Sequence, residues 1–171
     1  MKTKKPIIEL IISLGSNIAP RFEHLQEAVV LIKKKIGTVH ASSFIYETPA
    51  WGFISTPFLN ACITIKTSLN TKNALIVLQE IEKDLGRKPK IGPAYEARPI
   101  DLDILFSSEG IFNYESLTVP HPLLHERKFV LIPLLDIAPN YAHPLLHKTT
   151  QQLLKTCHDS SEITPTKHQL T

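Results

Sequence analysis

Little in this sequence points to an oxidised or membrane-embedded protein. Its two cysteines, Cys62 and Cys157, form neither a recognisable disulfide framework nor a metal-binding spacing. This absence favours a reducing cytoplasm. No apolar run approaches the roughly 18 residues that a membrane helix needs. The short apolar run after the N-terminal lysines is interrupted by Glu9, so it predicts a first strand rather than a signal peptide.

Excess charge and glycine-rich motifs are also scarce. The net charge of the 171 residues is +3, with 20% charged and 43% hydrophobic residues, which is ordinary globular composition. So small a positive excess does not by itself predict a nucleic-acid partner. The six glycines form no G-x-x-x-x-G-K-[ST] phosphate loop. A nucleotide-using enzyme with this sequence would need metal ions and arginines in place of a glycine cradle.

The spacing of apolar residues predicts alternating strands and helices. Strands are expected over residues 7–14, 38–48, 58–69 and 100–106, and helices over residues 22–36 and from 70 or 71 to about 85. The order β-α-β-β-α-β favours a ferredoxin-like α+β sandwich, with helices over one face of a mostly antiparallel sheet. A doubly wound α/β fold fits less well, because only a loop separates the second and third strands.

The remaining chain predicts a hairpin, two helices and a polar tail. The turn SSEG should lead the fourth strand into a hairpin with IFNY, and a short strand should follow before a buried helix from about Lys128. Residues 149 to about 154 predict a short last helix. Residues 1–157 are therefore expected to form a single domain, and residues 158–171 a polar, frayed C-terminal tail.

Two aspartates interrupt an apolar strand in the stretch EARPIDLDILF. Asp101 and Asp103 alternate with Ile100, Leu102 and Ile104, although Asp is a poor strand former. Side chains at i and i+2 lie on the same face, roughly 6–7 Å apart. The pair is therefore either a solvated polar face or a platform for Mg²⁺, which binds carboxylates and substrate phosphates. Two such ions would clamp a phosphoryl group during its transfer.

Basic residues lie on both sides of this pair along the chain. The segment before it carries Arg87, Lys88, Lys90 and Arg98, and His121, Arg127 and Lys128 follow it. Carboxylates for metal and several basic residues for phosphate are the usual equipment of phosphoryl transfer. For the two loop lysines, solvated surface charge is an equally good interpretation.

A loop rich in proline and glycine carries several aromatic residues. The stretch YETPAWGFISTPFLNA contains Trp51, Phe53 and Phe58, and Asn60 follows them. Aromatic faces stack on flat rings, and an amide pairs with the donors and acceptors of a ring edge. The stretch therefore either binds a flat aromatic ligand, with Phe129 as the opposing wall, or only caps the core beneath the loop.

Six motifs occur in the order LGSN, YETPAWG, FLNA, LGR, ARPIDLDIL and LTVPHPLLHERKFVLIPL. With these motifs at these spacings, the sequence resembles the 6-hydroxymethyl-7,8-dihydropterin pyrophosphokinase family of folate biosynthesis from about Ile8 to Ala142. The resemblance implies transfer of the β,γ-pyrophosphoryl group of ATP to the pterin hydroxymethyl, with release of AMP. It also implies two Mg²⁺ ions, ATP as co-substrate, and a ferredoxin-like α+β sandwich with flexible loops around the site.

The same resemblance implies a role for each matching residue. It gives Asp101 and Asp103 as Mg²⁺ ligands, and Arg87, Arg98, Asp101 and Asp103 as the catalytic set. It gives Thr48, Pro49, Trp51, Phe58, Asn60 and Phe129 as pterin-binding residues. It gives Glu82, Arg87, Arg98, Ile104, Thr118, His121 and Arg127 as ATP-binding residues.

The sequence departs from the common family pattern in the loops. It has AYEAR before the strand where many members have Arg-Trp-Gly-Pro-Arg, and Tyr95 aligns with that tryptophan. Trp51 stands where leucine is common, and Phe58 where tyrosine is common. These differences leave the metal pair in place and affect individual loop contacts.

Two rival functions remain open at this point. One is another Mg²⁺-dependent nucleotidyl or phosphoryl transferase that uses the same strand, and the other is a ferredoxin-like module that binds small ligands or RNA. The carboxylates on the sheet would repel RNA phosphates. We therefore expect a monomeric, cytoplasmic enzyme with small-molecule substrates and with neither nucleic-acid nor membrane partners.

Overall fold

The computed structural model describes residues 5–171; positions 1–4, where two of the N-terminal lysines and the start of the predicted domain fall, lie outside the described residues. The strands are β1 (Ile8–Ser16), β2 (Gly37–Ser42), β3 (Tyr46–Thr48), β4 (Phe58–Thr67), β5 (Asp101–Ser107), β6 (Phe112–Tyr114), β7 (Leu117–Val119) and β8 (Thr164–Pro165). The helices are α1 (Arg21–Lys35), α2 (Thr71–Asp84), α3 (Lys128–Ile137) and α4 (Thr150–Thr156), with a 3₁₀ turn at Leu124–Glu126. None of these helices within residues 5–171 has the length and apolarity to cross a bilayer.

The main sheet has the predicted ferredoxin-like arrangement. Its strands lie in the order β5-β1-β4-β3-β8, with β2 also on β4, and every described pair in it is antiparallel. The predicted second strand over residues 38–48 is divided into β2 and β3, which pair with successive parts of β4. The break lies at Ser43, whose Oγ accepts the Cys62 N–H and whose own N–H donates to the Cys62 carbonyl. Cys62 is fully buried.

Helices cover both faces of the sheet, so the prediction of a single covered face is wrong. Helices α1 and α2 pack on one face, and α3 and α4 pack on the other. The reason is visible in β4, where nine of ten residues are buried. A strand that is apolar on both faces needs cover on both.

Both ends of α2 follow the sequence signals. Asn70 precedes the helix, and its side chain accepts the Asn73 N–H at 2.8 Å, which satisfies one of the free donors of the first turn. Gly86 follows the helix with φ +90°. Glycine is favoured there because a side chain would be strained at positive φ.

Strand β5 contains a bulge against β1. Ile104 pairs with Ile12 and Phe106 pairs with Ile11, so Leu105 is an additional residue between them. Leu105 and Phe106 both belong to the apolar cluster under α3 and α4. The bulge therefore turns two consecutive large side chains toward the same helices.

Two predictions for the C-terminal half are wrong. IFNY does not pair with β5, because β6 forms its hairpin with β7, whose Leu117 and Val119 are buried. The C-terminal segment is not frayed. Its Thr164 and Pro165 pair with β3, and Leu170 packs against the main core. Polar composition alone indicates a frayed end. It cannot reveal that the backbone pairs with the edge of a sheet formed by residues far away in the chain.

Candidate active site

Four adjacent strands build the floor of a cleft at one end of the sheet. Ser13 pairs with Asp103, and Gly15 pairs with both Asp101 on β5 and Asn60 on β4. Residues directly opposite each other in a sheet share a face, so these positions all face the cleft. The remaining lining residues are Leu14, Thr48, Pro49, Trp51, Phe53, Phe58, Tyr95, Arg98, Arg127 and Phe129.

Aromatic side chains form the walls of this cleft. Phe53 lies between Phe58 and Tyr95, with ring centroids 6.3 and 6.1 Å away, and Trp51 meets Tyr95 edge-on at 6.2 Å. Phe129, at the start of α3, lines the same cleft. The predicted pterin-binding residues Thr48, Pro49, Trp51, Phe58, Asn60 and Phe129 are thus all brought together. Their assembly forms a flat-sided slot, which we call the aromatic slot.

Polar groups at the base of the slot are held in one orientation. Asn60 is buried, and its Nδ2 donates to the Thr48 hydroxyl at 2.7 Å. The Asn60 Oδ1 lies over Gly15, where an added Cβ would be only 2.8 Å from that oxygen. Glycine is required at this point because the amide approaches the backbone so closely. An amide and a hydroxyl are therefore offered side by side at the base of the slot.

Arg127 stands at the open side of the aromatic slot. Its guanidinium carbon lies 4.8 Å from the Trp51 ring centroid and 5.7 Å from that of Phe129, and its Nη2 donates to the Tyr95 hydroxyl at 3.1 Å. Contacts of this kind with aromatic faces are favourable for a guanidinium. The pairing also shows that Tyr95 is part of the site, since it links the loop before β5 to this arginine.

Two arginines hold the first aspartate of the pair. Asp101 accepts from Arg87 at 2.7 Å and forms an ion pair with Arg98 at 2.9 Å. Arg87 also pairs with Glu82, whose Oε1 accepts the Leu102 N–H at 2.7 Å on the outer edge of β5. Glu82 is thus brought to the acidic strand, although it does not line the cleft. Burial raises the pKa of Glu82 to about 7 against the opposing effect of Arg87.

The second aspartate has no direct partner. Among residues 5–171, the Asp103 carboxylate takes part in no hydrogen bond or ion pair. Burial, and after it the charges of Asp101 and Glu82, raise the pKa of Asp103 above its usual range. A carboxylate in this environment would be stabilised by a cation.

The donor set fits a hard divalent cation that arrives with a phosphate substrate. Asp101 and Asp103 offer carboxylate oxygens on one face, which suits Mg²⁺ held by one or two carboxylates and by substrate phosphates. No group of three or more His, Cys, Asp or Glu side chains in the described part of the chain would hold a metal alone. The Nε atoms of Arg98 and Arg127 are buried and lack hydrogen-bond partners within residues 5–171, so each is an unsatisfied donor in a residue of the cleft lining.

Five of the seven predicted ATP-binding residues lie outside the cleft lining: Glu82 and Arg87, which contact Asp101 or its strand, and Ile104, Thr118 and His121. Ile104 faces the opposite side of β5 and is buried in the main core. Thr118 is exposed on β7, on the second, two-stranded sheet. His121 donates its N–H to the Leu105 carbonyl, and its Nδ1 accepts the Leu123 N–H at 3.2 Å. Their contact with a nucleotide stays a prediction.

Asn17 is the main site residue that sequence reasoning missed. Its Oδ1 accepts the Arg98 N–H at 2.8 Å, and its backbone N–H donates to the Arg98 carbonyl at 3.2 Å. Its Nδ2 donates to Ser55 Oγ and to the Thr56 carbonyl at 3.1 and 3.2 Å. Asn17 therefore ties the aromatic loop to the segment that carries Arg98. LGSN entered the sequence analysis as a motif of the family resemblance with no role for Asn17, and nothing local signals partners so distant along the chain.

The part of the chain that contains the cleft matches a known protein family. The sequence model of the 7,8-dihydro-6-hydroxymethylpterin-pyrophosphokinase (HPPK) family matches residues 11–139. A 2-amino-4-hydroxy-6-hydroxymethyldihydropteridine pyrophosphokinase of Porphyromonas gingivalis is 40% identical over 136 residues, covering 78% of this chain and 92% of the relative. Its namesake in Aquifex aeolicus is 35% identical over 144 residues, covering 82% and 87%.

A longer relative and a solved structure extend the comparison. The folic acid synthesis protein FOL1 of Dictyostelium discoideum is 35% identical over 145 residues, which are 83% of this chain but 21% of that protein. The wild-type HPPK-DHPS of Plasmodium falciparum, solved with pteroate, superposes with a TM-score of 0.74 at 16% identity. The superposition covers 90% of this chain and 45% of that longer chain, and it confirms the fold. On the strength of its sequence relatives, this chain belongs to the 7,8-dihydro-6-hydroxymethylpterin-pyrophosphokinase family.

Proposed function

We propose that this chain transfers the β,γ-pyrophosphoryl group of ATP to the hydroxymethyl oxygen of 6-hydroxymethyl-7,8-dihydropterin, giving the pterin diphosphate and AMP. One observation carries the proposal beyond family membership. A flat aromatic slot with an amide at its base opens directly onto an acidic pair bracketed by arginines. A phosphoryl transferase with a flat ring as acceptor needs these two features side by side.

The aromatic slot supplies recognition of the pterin. A flat ring between Phe129 and the Trp51 side would bury both of its faces, and aromatic contacts of this kind favour offset stacking. Asn60 and Thr48 would pair with the amide-like edge of the ring. The hydrogen bond to Thr48 already orients the Asn60 side chain. Binding of the ring would therefore cost little further side-chain conformational entropy at Asn60. Pro49 follows Thr48 and lines the same wall.

Asp101 and Asp103 would hold Mg²⁺ against the triphosphate, and the ions, two in this proposal, would supply neutralisation of phosphate charge. Arg87 and Arg98 already contact Asp101, so both stand beside the acidic pair. When the triphosphate arrives, its oxygens compete with Asp101 for these guanidinium groups. Arg127 lines the cleft and would add a third guanidinium group for phosphate.

Positioning carries most of the proposed mechanism. The hydroxymethyl oxygen forms a bond to the β-phosphorus while its O–H bond breaks and the proton passes to water. The bond from that phosphorus to the bridging oxygen of AMP breaks, and AMP leaves with its electron pair. Phosphoryl transfer asks little covalent chemistry of the protein, so rate depends on alignment and charge stabilisation. Arg98 is suited to this role, because Asn17 fixes its backbone and Asp101 its guanidinium.

The two rival functions have less support. Another Mg²⁺-dependent transferase would share the acidic pair but would have no use for the aromatic slot unless its acceptor were also a flat ring. An RNA-binding module would present aromatics on an uncharged or basic sheet face, whereas this sheet presents Asp101 and Asp103 beside the slot. The relatives' names also agree with the pyrophosphokinase.

An assay for AMP tests the proposal. The protein is mixed with ATP, Mg²⁺ and 6-hydroxymethyl-7,8-dihydropterin, and AMP and pterin diphosphate are measured together. Asp103→Ala should abolish turnover without unfolding the protein, whereas Glu80→Ala, which removes an exposed carboxylate on α2, should leave it unchanged. Absence of AMP from the wild-type protein at every Mg²⁺ concentration would overturn the proposal. Near wild-type turnover of Asp103→Ala would overturn the metal assignment alone.

The oligomeric state, location and domain division are part of the same proposal. The residues that line the cleft all fall within residues 13–129. We propose a monomeric enzyme whose pyrophosphokinase domain spans residues 1–157, with residues 158–171 as a C-terminal segment that pairs with the edge of its sheet. We also propose a cytoplasmic location. Light scattering of the active protein measures its mass and so tests whether it is a monomer. A dimer that loses activity when it dissociates would contradict the proposal.

A further inference from the structure

The C-terminal segment follows a path that touches both sides of the aromatic slot from outside. Residues 159–161 contact the first residue of α3, residues 164–166 run along β3, and His168 stacks on Phe22 of α1 with centroids 4.4 Å apart. We call residues 159–166 the strap. None of these residues lines the cleft, so any effect of the strap on the substrate has to pass through other residues.

At its first end the strap completes the start of α3. The residue before this helix is Arg127, which has no acceptor in its side chain and makes no capping bond. Asp159 supplies the acceptor instead, because its Oδ2 receives the Lys128 N–H at 3.0 Å. Lys128 Nζ in turn donates to the Ser161 carbonyl at 3.0 Å. A carboxylate at this position also interacts favourably with the positive end of the helix.

Asp159 is itself held in place. Its Oδ1 accepts both the backbone N–H and the hydroxyl of Ser161. Partial burial acts to raise the pKa of Asp159, but hydrogen bonds from Ser161 and Lys128 outweigh it and keep the pKa below its usual value. The carboxylate is therefore ionised and fixed where it meets the helix.

At its other end the strap binds the edge of β3. Thr164 pairs with Glu47 and Pro165 with Tyr46, and the Thr166 N–H donates to the Ile45 carbonyl at 2.9 Å. Strand β3 ends at Thr48, whose hydroxyl accepts from the Asn60 amide and orients it at the base of the slot. Helix α3 begins immediately after Arg127 and carries Phe129 in its first turn. The same eight residues are thus bonded to the elements that carry opposite sides of the slot.

We infer that the strap sets the separation between the Phe129 wall and the Thr48 edge of the aromatic slot, with Asp159 as its positioning residue. The inference rests on the proposed assignment of this slot to the pterin. Loss of the Asp159 acceptor frees the first turn of α3, so Phe129 and Arg127 lose their fixed relation to β3. The acceptor is worth about as much as an N-cap, and we expect a fivefold to tenfold rise in KM for the pterin when it is lost.

The test compares variants that remove or keep the acceptor. Asp159→Ala should raise KM for the pterin by about fivefold to tenfold. Its kcat should stay within about twofold of the wild-type value. Asp159→Asn should recover most of the change, because its amide oxygen still accepts from Lys128. Glu162→Ala is the matched control, since this carboxylate lies three residues after Asp159 in the same segment but is exposed. Thr166→Pro removes the donor to Ile45 and tests the β3 end separately.

Fluorescence of the single tryptophan provides a second measurement, which does not depend on enzyme activity. Trp51 lines the slot and contacts Arg127, so acrylamide quenching of its fluorescence reports how open the slot is. Quenching should increase in Asp159→Ala and Thr166→Pro, and remain at the wild-type level in Asp159→Asn and Glu162→Ala. Thermal unfolding of each variant, followed by far-UV circular dichroism, identifies any that do not fold.

The outcomes separate this inference from the proposed function. If the wild-type protein forms no AMP, the pyrophosphokinase proposal fails, while the quenching series still decides whether the strap controls the slot. If the wild type is active but Asp159→Ala matches Glu162→Ala in KM and in quenching, the inference is overturned. A lowered unfolding temperature with unchanged KM and quenching would also overturn it, because the strap would then only add stability. Should Asp159→Ala fail to fold, Thr166→Pro carries the same decision.

Discussion

Replacement of His121 should change how the stability of the fold depends on pH. The His121 Nδ1 accepts the Leu123 N–H, which requires a neutral ring at that nitrogen. Burial, and after it the charge of Arg127, lower the pKa of His121 to about 4. In the unfolded chain the pKa returns to about 6.5. Between these values the unfolded state binds the proton that the folded state excludes, so stability falls as the pH drops below 6.5.

The size of this effect follows from the two pKa values. The pKa of His121 is about 4 in the folded state and about 6.5 in the unfolded state. This difference lowers the free energy of unfolding by about 1.5–2 kcal/mol between pH 7 and pH 5. His121→Asn keeps an acceptor near Nδ1 but cannot take up the proton. Its free energy of unfolding should therefore fall less than that of wild type over this interval, by about 1.5–2 kcal/mol on the same reasoning.

Urea denaturation at several pH values measures this difference. Each variant is compared with its own stability at pH 7, so any constant cost of the lost imidazole cancels. His40→Asn, which replaces an exposed histidine on β2, serves as the control and should follow the wild-type curve. If His121→Asn also follows the wild-type curve from pH 7 to pH 5, the ring is not held neutral and the reasoning fails.

Three further predictions concern the cleft. Gly15→Ala should raise KM for the pterin by about tenfold with little change in KM for ATP, because its Cβ would displace the Asn60 amide and cost about one hydrogen bond; equal changes in both KM values would argue against this cause. Asn17→Ala should lower the free energy of unfolding by about 1–3 kcal/mol in urea titrations and also reduce kcat, because it leaves the Arg98 N–H without its acceptor. Unchanged stability would show that Asn17 does not hold the two segments together. Arg98→Ala should lower kcat more than it raises KM for ATP, and the reverse result in steady-state kinetics would make it a binding residue.

Local rules were enough to predict the acidic pair and the slot. The alternation of β5 puts Asp101 and Asp103 on one face whatever their partners are, so that part of the site follows from the chain itself. The aromatic loop was predicted for a similar reason, since Trp51 and Phe58 lie within one short segment. What the sequence did not give directly is their adjacency, which depends on Gly15 lying between β4 and β5.

The parts that could not be predicted depend on contacts between distant segments. Asn17 bonds to Ser55 and to Arg98, which are 38 and 81 residues away, and no local pattern indicates such partners. The C-terminal segment was expected to fray because it is polar. It is held by backbone pairing to β3 and by Asp159, and composition shows neither.

The additional residue in β5 has a consequence for how the chain tolerates changes in its length. Shifting a strand by one residue would send both aspartates into the core and the apolar residues to the cleft. The bulge at Leu105 lies between the acidic half of the strand and the loop that begins near Ser108. An insertion or deletion arising in that loop meets an existing irregularity before it reaches Asp103. The loop can therefore change in length while the two carboxylates keep their place opposite Ser13 and Gly15.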